Sequence, residues 1–207
     1  MMSCDWPAVL VLALLLFLIL EPVSKGQGTR CLVLAGAFGL ACLPVREAPL
    51  ALQFRGLTHD LSDGLLVLLL AATLARFGLV HIERRCKAEV LAVFALLALL
   101  LYPASLGLSY VDPYRWGYEP GGLLLAMAVL TLAFLLRGNW LGVAVLLLAT
   151  LAYALRQDGP GNYWNYLIDP LLGLFALGWW LVTGVVAGVR LLRSRRFLST
   201  QVTRTVL

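Results

Sequence analysis

Residues Trp6–Val23 read WPAVLVLALLLFLILEPV, a run of 18 residues in which Glu21 is the one charged side chain. The hydrocarbon core of a bilayer is about 30 Å thick, and a helix needs about 20 apolar residues to cross it. Apolar residues surround this segment on all sides, which is typical of a membrane helix and not of a surface helix. Because Met1–Pro7 carries no Lys or Arg, we expect a retained helix and not a cleaved signal peptide.

The whole chain has the same apolar character. Of its 207 residues, 61% are hydrophobic and 13% are charged, and the mean hydropathy is +0.91. A soluble domain has about 45–50% apolar and about 25% charged residues. These values exclude a soluble globular domain, a disordered tail and a disulfide-rich secreted module. We therefore predict a polytopic membrane protein with a single domain that spans residues 1–207.

The chain contains seven apolar segments. They are Trp6–Val23, Cys31–Val45, Leu61–Val80, Ala88–Leu108, Gly121–Leu136, Trp140–Leu155 and Leu171–Leu192. Their residues do not alternate between apolar and polar, which excludes an outer-membrane β-barrel. The break between the fifth and sixth segments is three residues long, so it predicts two antiparallel neighbouring helices. The sequence thus predicts an all-α bundle of about seven transmembrane helices, of which the second, fifth and sixth are short.

The distribution of positive charge predicts the orientation, because Lys and Arg favour the cytoplasmic side of short loops. With the C-terminus inside and the N-terminus outside, eleven of the sixteen basic residues lie inside, four lie outside, and Arg76 lies within a span. The basic tail 193–207 is then cytoplasmic. The pI of about 9.3 follows from this asymmetry, so we expect no nucleic-acid partner.

The predicted spans are almost free of ionisable residues. No Asp or Glu lies in the middle of a span, which disfavours ion-coupled transport. For Arg76 we expect that the side chain reaches the inner interface, the alternative being a contact with a lipid phosphate. His59 and His81 fall on opposite sides of the membrane, and the four cysteines lack metal-ligand spacing. We therefore predict no metal and no cofactor, while a disulfide between Cys4 and Cys42 stays an open alternative.

Three loops on the predicted outer side combine aromatic rings with Arg and acidic residues. Loop 46–64 has apolar residues at three- and four-residue spacing, which predicts a short interfacial helix, and Ser62 or Asp63 is expected to cap the next span. Loop 110–120 is bracketed by two acid–Pro pairs, so we expect a shaped loop and not a helix. The candidate ligand-binding residues are Arg55, His59, Asp60, Asp112, Tyr114, Arg115, Trp116, Tyr118, Arg156, Asp158, Tyr163, Trp164, Tyr166 and Asp169.

These residue types favour a binding role on the outer face. Aromatic rings stack on apolar faces of ligands, and Arg binds phosphate or carboxylate groups. The simpler interpretation is an aromatic belt at the membrane interface. Our first hypothesis is an accessory protein of the bacterial inner (plasma) membrane that binds an envelope lipid, glycan or partner protein. The alternatives are a small membrane enzyme that acts on a lipid-linked phosphate or glycolipid, and a facilitator or flippase.

Small residues suggest where helices approach each other closely. Gly184 and Gly188 form a GxxxG pair in the last segment, and Gly138 and Gly142 repeat this spacing at the start of the sixth. Such pairs allow close contact between helices. We expect them to serve packing within the bundle, with contact between copies in a homo-oligomer as the alternative. Membrane lipids are the other expected partners.

Overall fold

The computed structural model describes residues 6–24, 26–45, 48–58, 61–108, 110–155 and 161–205, with side chains up to residue 190. Helix makes up 81% of the structure, which confirms the helical class. The described residues form nine α-helices, two 3₁₀ helices and one short ladder. The α-helices are α1 Trp6–Leu20, α2 Gln27–Cys42, α3 Leu50–Thr58, α4 Asp63–Arg76, α5 Arg84–Ser105, α6 Gly121–Leu136, α7 Trp140–Leu155, α8 Trp164–Leu167 and α9 Pro170–Thr205.

Three helical segments are long and apolar enough to cross a membrane. They are Trp6–Val23, Arg84–Ser105 and Pro170–Arg190. Helices α6 and α7 are apolar but shorter, at 16 residues each. The structure is therefore compatible with an integral membrane protein, and the crossing of the full set of seven segments stays a prediction.

Large apolar side chains remain exposed along the apolar helices. Leu96 on α5 is 66% exposed, Leu125 on α6 is 67% exposed, and Leu181 on α9 is 70% exposed. A soluble monomer rarely exposes contiguous apolar surface on this scale. A bilayer solvates such side chains, because its hydrocarbon core is as apolar as they are.

The buried side chains form two clusters. The larger joins α4 through α9, with Phe94, Leu146 and Leu172 among its least exposed members. The smaller joins the first turns of α1 to α2 and α3, through Ala41 and Ala51. Since α1 also contributes Val11 and Leu14 to the larger cluster, it links the two parts of the bundle. Helix α3 is the short helix that the spacing in loop 46–64 predicts.

Helices α6 and α7 are antiparallel neighbours, as the short break between them predicts. Gly138 turns the chain with a positive φ of 70°, a conformation that glycine adopts without steric cost. Gly142 then faces α6, and a Cβ added there would lie 2.5 Å from the Phe134 ring. Among the described residues, a Cβ at Gly184 or Gly188 would meet no atom of another helix within 4 Å, so the expected internal packing is not seen at this pair.

Three other local features differ from the prediction. Pro44–Val45 and Ala48–Pro49 pair as a two-residue antiparallel ladder that the helical pattern does not indicate. Loop 110–120 contains a 3₁₀ helix, Pro113–Gly117, whereas we expected no helix there. The Asp112 carboxylate accepts a hydrogen bond from the Tyr114 backbone N–H at 3.0 Å, and Pro113 has the fixed φ that such a turn requires. Helix α9 continues to Thr205, so most of the predicted tail is helical.

Candidate functional site

Two segments that are far apart in sequence form one layer beyond the ends of α5, α6 and α7. They are residues 110–120, which include the 3₁₀ helix Pro113–Gly117, and residues 161–169, which include α8. We call these two segments together the loop platform. Most of its aromatic and acidic residues are candidates that the sequence pattern indicates.

Hydrogen bonds fix the two segments of the loop platform to each other. The Trp164 indole Nε1–H donates to the Pro113 carbonyl oxygen at 2.8 Å. The Asn162 side-chain amide donates to the Tyr114 carbonyl oxygen at 2.9 Å. The Asn162 Oδ1 atom also accepts from the Trp164 backbone N–H at 3.0 Å. Asn162 therefore shapes its own segment and holds the other one.

Further contacts close the layer. The Tyr163 backbone N–H donates to the Gly117 carbonyl oxygen at 2.9 Å, and the Tyr114 hydroxyl donates to Asn165 Oδ1 at 3.0 Å. A Cβ on Gly117 would overlap the Asn162 side chain, so the two segments meet at this position without room for a larger residue. Partial burial raises the pKa of Tyr114, which keeps its phenol protonated as a hydrogen-bond donor. The loop platform is thus a built structure and not two independent loops.

Three aromatic candidates lie inside the loop platform. Tyr163 is 0% exposed, Trp164 is 1% exposed and Tyr166 is 7% exposed. The Tyr163 hydroxyl bonds with the Thr150 hydroxyl of α7 at 2.5 Å, and burial raises the pKa of Tyr163. The Tyr153 ring lies 5.0 Å from the Tyr163 ring and 5.3 Å from the Tyr166 ring, between centroids. These side chains anchor the platform to α7 and do not form its outer surface.

Asp169 is a buried carboxylate that joins the starts of two helices. It is 2% exposed and accepts hydrogen bonds from the Ser62 hydroxyl at 2.6 Å and the Ser62 backbone N–H at 3.0 Å. Its second oxygen accepts from the Leu172 N–H in the first turn of α9 at 2.9 Å. Ser62 in turn caps α4 by accepting from the Leu65 N–H at 3.1 Å, which confirms the predicted cap. Asp169 therefore acts as a shared structural cap.

The exposed part of the loop platform is the 3₁₀ helix and the residues around it. Trp116 is 47% exposed and Tyr118 is 55% exposed, and Asp112 and Arg115 are also exposed. Among the residues that the structure describes, the Arg115 side chain has no hydrogen-bond or salt-bridge partner. The Tyr118 ring meets the Tyr114 ring edge to face, with 5.8 Å between centroids. The cation of Arg115 and the exposed rings of Trp116 and Tyr118 thus lie within four consecutive positions of the chain.

The remaining candidates lie apart from this surface or outside the described residues. Arg55 lies on α3, which packs against α1 and α2, whereas the 3₁₀ helix packs against α5 and α6. Arg55 is half-buried and has a partner of its own. Four other candidates lie outside the described residues: His59, Asp60, Arg156 and Asp158. The disulfide between Cys4 and Cys42, which the sequence leaves as an open alternative, also includes a residue outside them, Cys4.

Two charged networks that the sequence pattern does not indicate lie at the ends of the helices opposite the loop platform. In the first, the buried Glu21 carboxylate pairs with Arg30 at 3.0 Å and with Arg76 at 3.3 Å. Arg30 also donates to the Arg76 carbonyl oxygen at 2.7 Å. This network ties α1, α2 and α4 together. Arg76 is the last residue of α4 and is half-exposed. We expected its side chain to reach the inner interface, and the structure also gives it a specific acidic partner, Glu21.

The second network has the same composition of one acid and two arginines. Glu89 of α5 pairs with Arg85 at 3.0 Å and with Arg137 at 2.6 Å. Asn139 donates to the same carboxylate at 3.1 Å and to the Cys86 carbonyl oxygen at 3.1 Å. The turn between α6 and α7 is thereby fastened to the start of α5. Charge pairing of helix ends is a structural task, so neither network is our candidate binding site.

The residue types exposed on the loop platform are suited to binding a ligand. Exposed aromatic faces bind apolar parts of a ligand, and a free guanidinium binds an anionic group through paired hydrogen bonds. Within the described ranges, no group of three or more His, Cys, Asp and Glu side chains is placed to hold a metal ion.

Comparison with known proteins adds no relative. No protein-family model, no curated protein and no solved structure matches this chain.

Proposed function

We propose that this chain is an integral protein of the bacterial inner membrane whose loop platform faces outward and binds an envelope lipid, a glycan or a partner protein. In this role it serves as an accessory component of cell-envelope biogenesis. The observation that carries the proposal is the contrast within the platform. Trp164 and Asp169 are buried to hold it rigid, while Arg115, Trp116 and Tyr118 stay exposed on it.

The contacts at the two ends of the bundle support the proposed seven-span topology. Glu21, Glu89, Arg30 and Arg137, which the charge pattern assigns to the cytoplasmic side, meet in two networks, and the Glu21 network also includes Arg76, which lies within a span near its inner end. The residues assigned to the outer side meet in the loop platform and at Asp169. A bundle whose successive segments cross in alternating directions accounts for both sets of contacts.

Rigidity supports a binding role for the exposed residues. A preorganised surface loses less conformational entropy when it takes up a ligand, and this raises affinity. An interface belt needs aromatic residues near the membrane boundary but needs no fixed arrangement among them. The hydrogen bonds of Asn162 and Trp164 fix the backbone beneath Arg115 and Trp116, which suits recognition of a defined ligand.

Native mass spectrometry after gentle detergent extraction tests this role. We expect the wild-type chain to carry a lipid, glycan or protein mass, and Arg115→Ala and Trp116→Ala each to weaken its binding about tenfold, which is measured as lost occupancy below saturation. The reason is that a hydrogen bond to a charged group contributes about 1.5–3 kcal/mol and an aromatic contact about 0.5–1.5 kcal/mol, and 1.4 kcal/mol corresponds to a tenfold change in affinity.

Trp140→Ala is the matched control for Trp116→Ala. Trp140 is 69% exposed at the start of α7, and our topology assigns it to the opposite interface. It should leave the occupancy unchanged. Equal occupancy in the wild type, Trp116→Ala and Arg115→Ala would contradict the binding role, and equal losses in the two tryptophan variants would favour a general interface belt.

A further inference from the structure

A groove of about 330 Å³ lies between α6 and α7. Its lining includes Leu124, Ala128, Thr131, Leu135, Leu147 and Thr150. The volume falls at the lower end of the range of about 300–1,000 Å³ for small-molecule pockets. The lining residues on α6 run from Leu124 to Leu135, and the helix rises about 16 Å over that stretch. The groove is therefore long and narrow.

The polar atoms of the groove are already used by the protein. The Thr131 hydroxyl donates to the Met127 carbonyl oxygen at 2.7 Å. The Thr150 hydroxyl donates to the Leu146 carbonyl oxygen at 2.7 Å and bonds with the Tyr163 hydroxyl. What the lining presents to an occupant is therefore hydrocarbon, which suits a hydrocarbon chain.

A helix about 10 Å across would rest on the groove and not enter it, because the space is about 330 Å³ over a length of about 16 Å. One extended hydrocarbon chain, by contrast, is narrow enough to lie between two adjacent helices that a three-residue turn holds together.

One end of the groove meets the loop platform. Leu124 in the groove donates its backbone N–H to the Pro120 carbonyl oxygen at 2.6 Å, and Pro120 ends the segment 110–120. Thr150 contacts Tyr163 of the segment 161–169. The 3₁₀ helix Pro113–Gly117, which carries the exposed Arg115, packs against α6, and α6 lines the groove. An apolar groove whose wall also packs against a segment with an exposed cation complements a molecule with an apolar chain and an anionic head.

The geometry points to a lipid phosphate as the ligand: its hydrocarbon chain occupies the groove between α6 and α7, and its phosphate binds Arg115. This inference rests on the proposed function and names the ligand class of the same site. Arg is suited to this role, because its guanidinium binds phosphate oxygens in a bidentate manner. Trp116 would then cover the junction between head and chain, where an amphipathic ring is favoured.

Photolabelling of the full-length chain in detergent micelles tests the inference. The probe is hexadecyl phosphate with a diazirine in its chain, and the labelled peptides are located by mass spectrometry. We expect labelling on α6 and α7 in the wild type. Ala128→Trp should reduce it at least fivefold, because the indole fills the groove. Ala126→Trp on the same helix, about 200° round the axis, should leave it within twofold, and similar elution of both variants in size exclusion confirms their folding.

A second arm tests the head group. Arg115→Ala should reduce labelling by the phosphate probe at least fivefold. The uncharged hexadecanol analogue should label weakly, and to the same extent in the wild type and in Arg115→Ala. Equal labelling of Ala128→Trp and Ala126→Trp would overturn the assignment of the hydrocarbon chain to the groove. A cross-link to a second polypeptide would overturn it as well. Equal labelling by both probes would overturn the phosphate.

The two proposals fail in different ways. If Trp116→Ala loses the co-purifying ligand while Ala128→Trp keeps both that ligand and its photolabel, the platform binds but the groove assignment is wrong. If Ala128→Trp blocks labelling while Arg115→Ala and Trp116→Ala change neither measurement, the proposed function fails, and the inference that rests on it fails with it.

Discussion

Replacement of Trp164 by Ala should lower the free energy of unfolding by about 3–5 kcal/mol, the range for truncation of a fully buried aromatic side chain. Trp164 is 1% exposed, and its indole N–H holds the Pro113 carbonyl oxygen at 2.8 Å. The substitution therefore removes core contacts and also separates the two segments of the loop platform. Unfolding in mild detergent, titrated with sodium dodecyl sulfate and followed by fluorescence, measures the loss.

Trp116→Ala is the matched control, since it removes the same side chain from the exposed side of the platform. At 47% exposure and with no core contact to lose, Trp116 should contribute less than about 0.5 kcal/mol to stability, the usual range for surface substitutions. The two tryptophans would then have different roles, with Trp164 needed for folding and Trp116 for ligand retention. Equal stability of the two variants would contradict the assignment of Trp164 as an anchor.

Replacement of Asp169 by Ala should cost about 3 kcal/mol or more. Three donors lose their acceptor, two of them on Ser62 and one at Leu172. Each buried donor left without a partner costs about 1–3 kcal/mol, and the starts of α4 and α9 are no longer joined. Asp169→Asn keeps one acceptor oxygen but turns an amide N–H₂ toward the remaining donors, so its loss should be intermediate. The same detergent titration measures both variants.

Asp112 offers a control of the same chemistry in an exposed position. It caps the 3₁₀ helix Pro113–Gly117 through one hydrogen bond to the Tyr114 N–H, so Asp112→Ala should cost about 1 kcal/mol, a typical value for a helix cap. A loss at Asp169 no greater than that at Asp112 would show that the shared cap does not hold the two helices together.

Segment bounds could be predicted from sequence where the chain carries strong local signals. The ranges Gly121–Leu136 and Trp140–Leu155 match α6 and α7, because Pro120 and the turn at Gly138 interrupt the apolar pattern. The start of α5 at Arg84 lies four residues before the predicted segment, since hydropathy marks the apolar part of a helix and not its charged first turn.

The sequence indicated which residue types gather in the loops but not which of them are buried. Tyr163 and Trp116 belong to equally aromatic, Pro-bounded stretches, yet one is fully buried and the other half-exposed. The difference arises from contacts between positions about 50 residues apart, such as that between Trp164 and Pro113. No local pattern specifies a contact at that separation, so the division into anchors and exposed residues required the structure.

The two charged networks could not be predicted from the sequence for a related reason. The positive-inside rule counts charges on each side, and it placed Glu21, Arg30 and Arg137 on the same side without pairing them. Pairing depends on which helices are neighbours in space, which the chain order leaves open. A useful signal was present, since Glu21 and Glu89 each lie near the end of an apolar segment and close to basic residues, where an unpaired acid is costly.

That the loop platform faces outward is the claim on which every proposed role depends, and cysteine labelling in intact cells tests it most directly. On a background without the four native cysteines, Tyr110→Cys and Leu79→Cys place one thiol at each end of α5, at positions that are both exposed. We predict that a membrane-impermeant maleimide labels position 110 in intact cells and labels position 79 only after permeabilisation. Labelling of position 79 in intact cells, with position 110 protected, would contradict the orientation and the outward binding face with it.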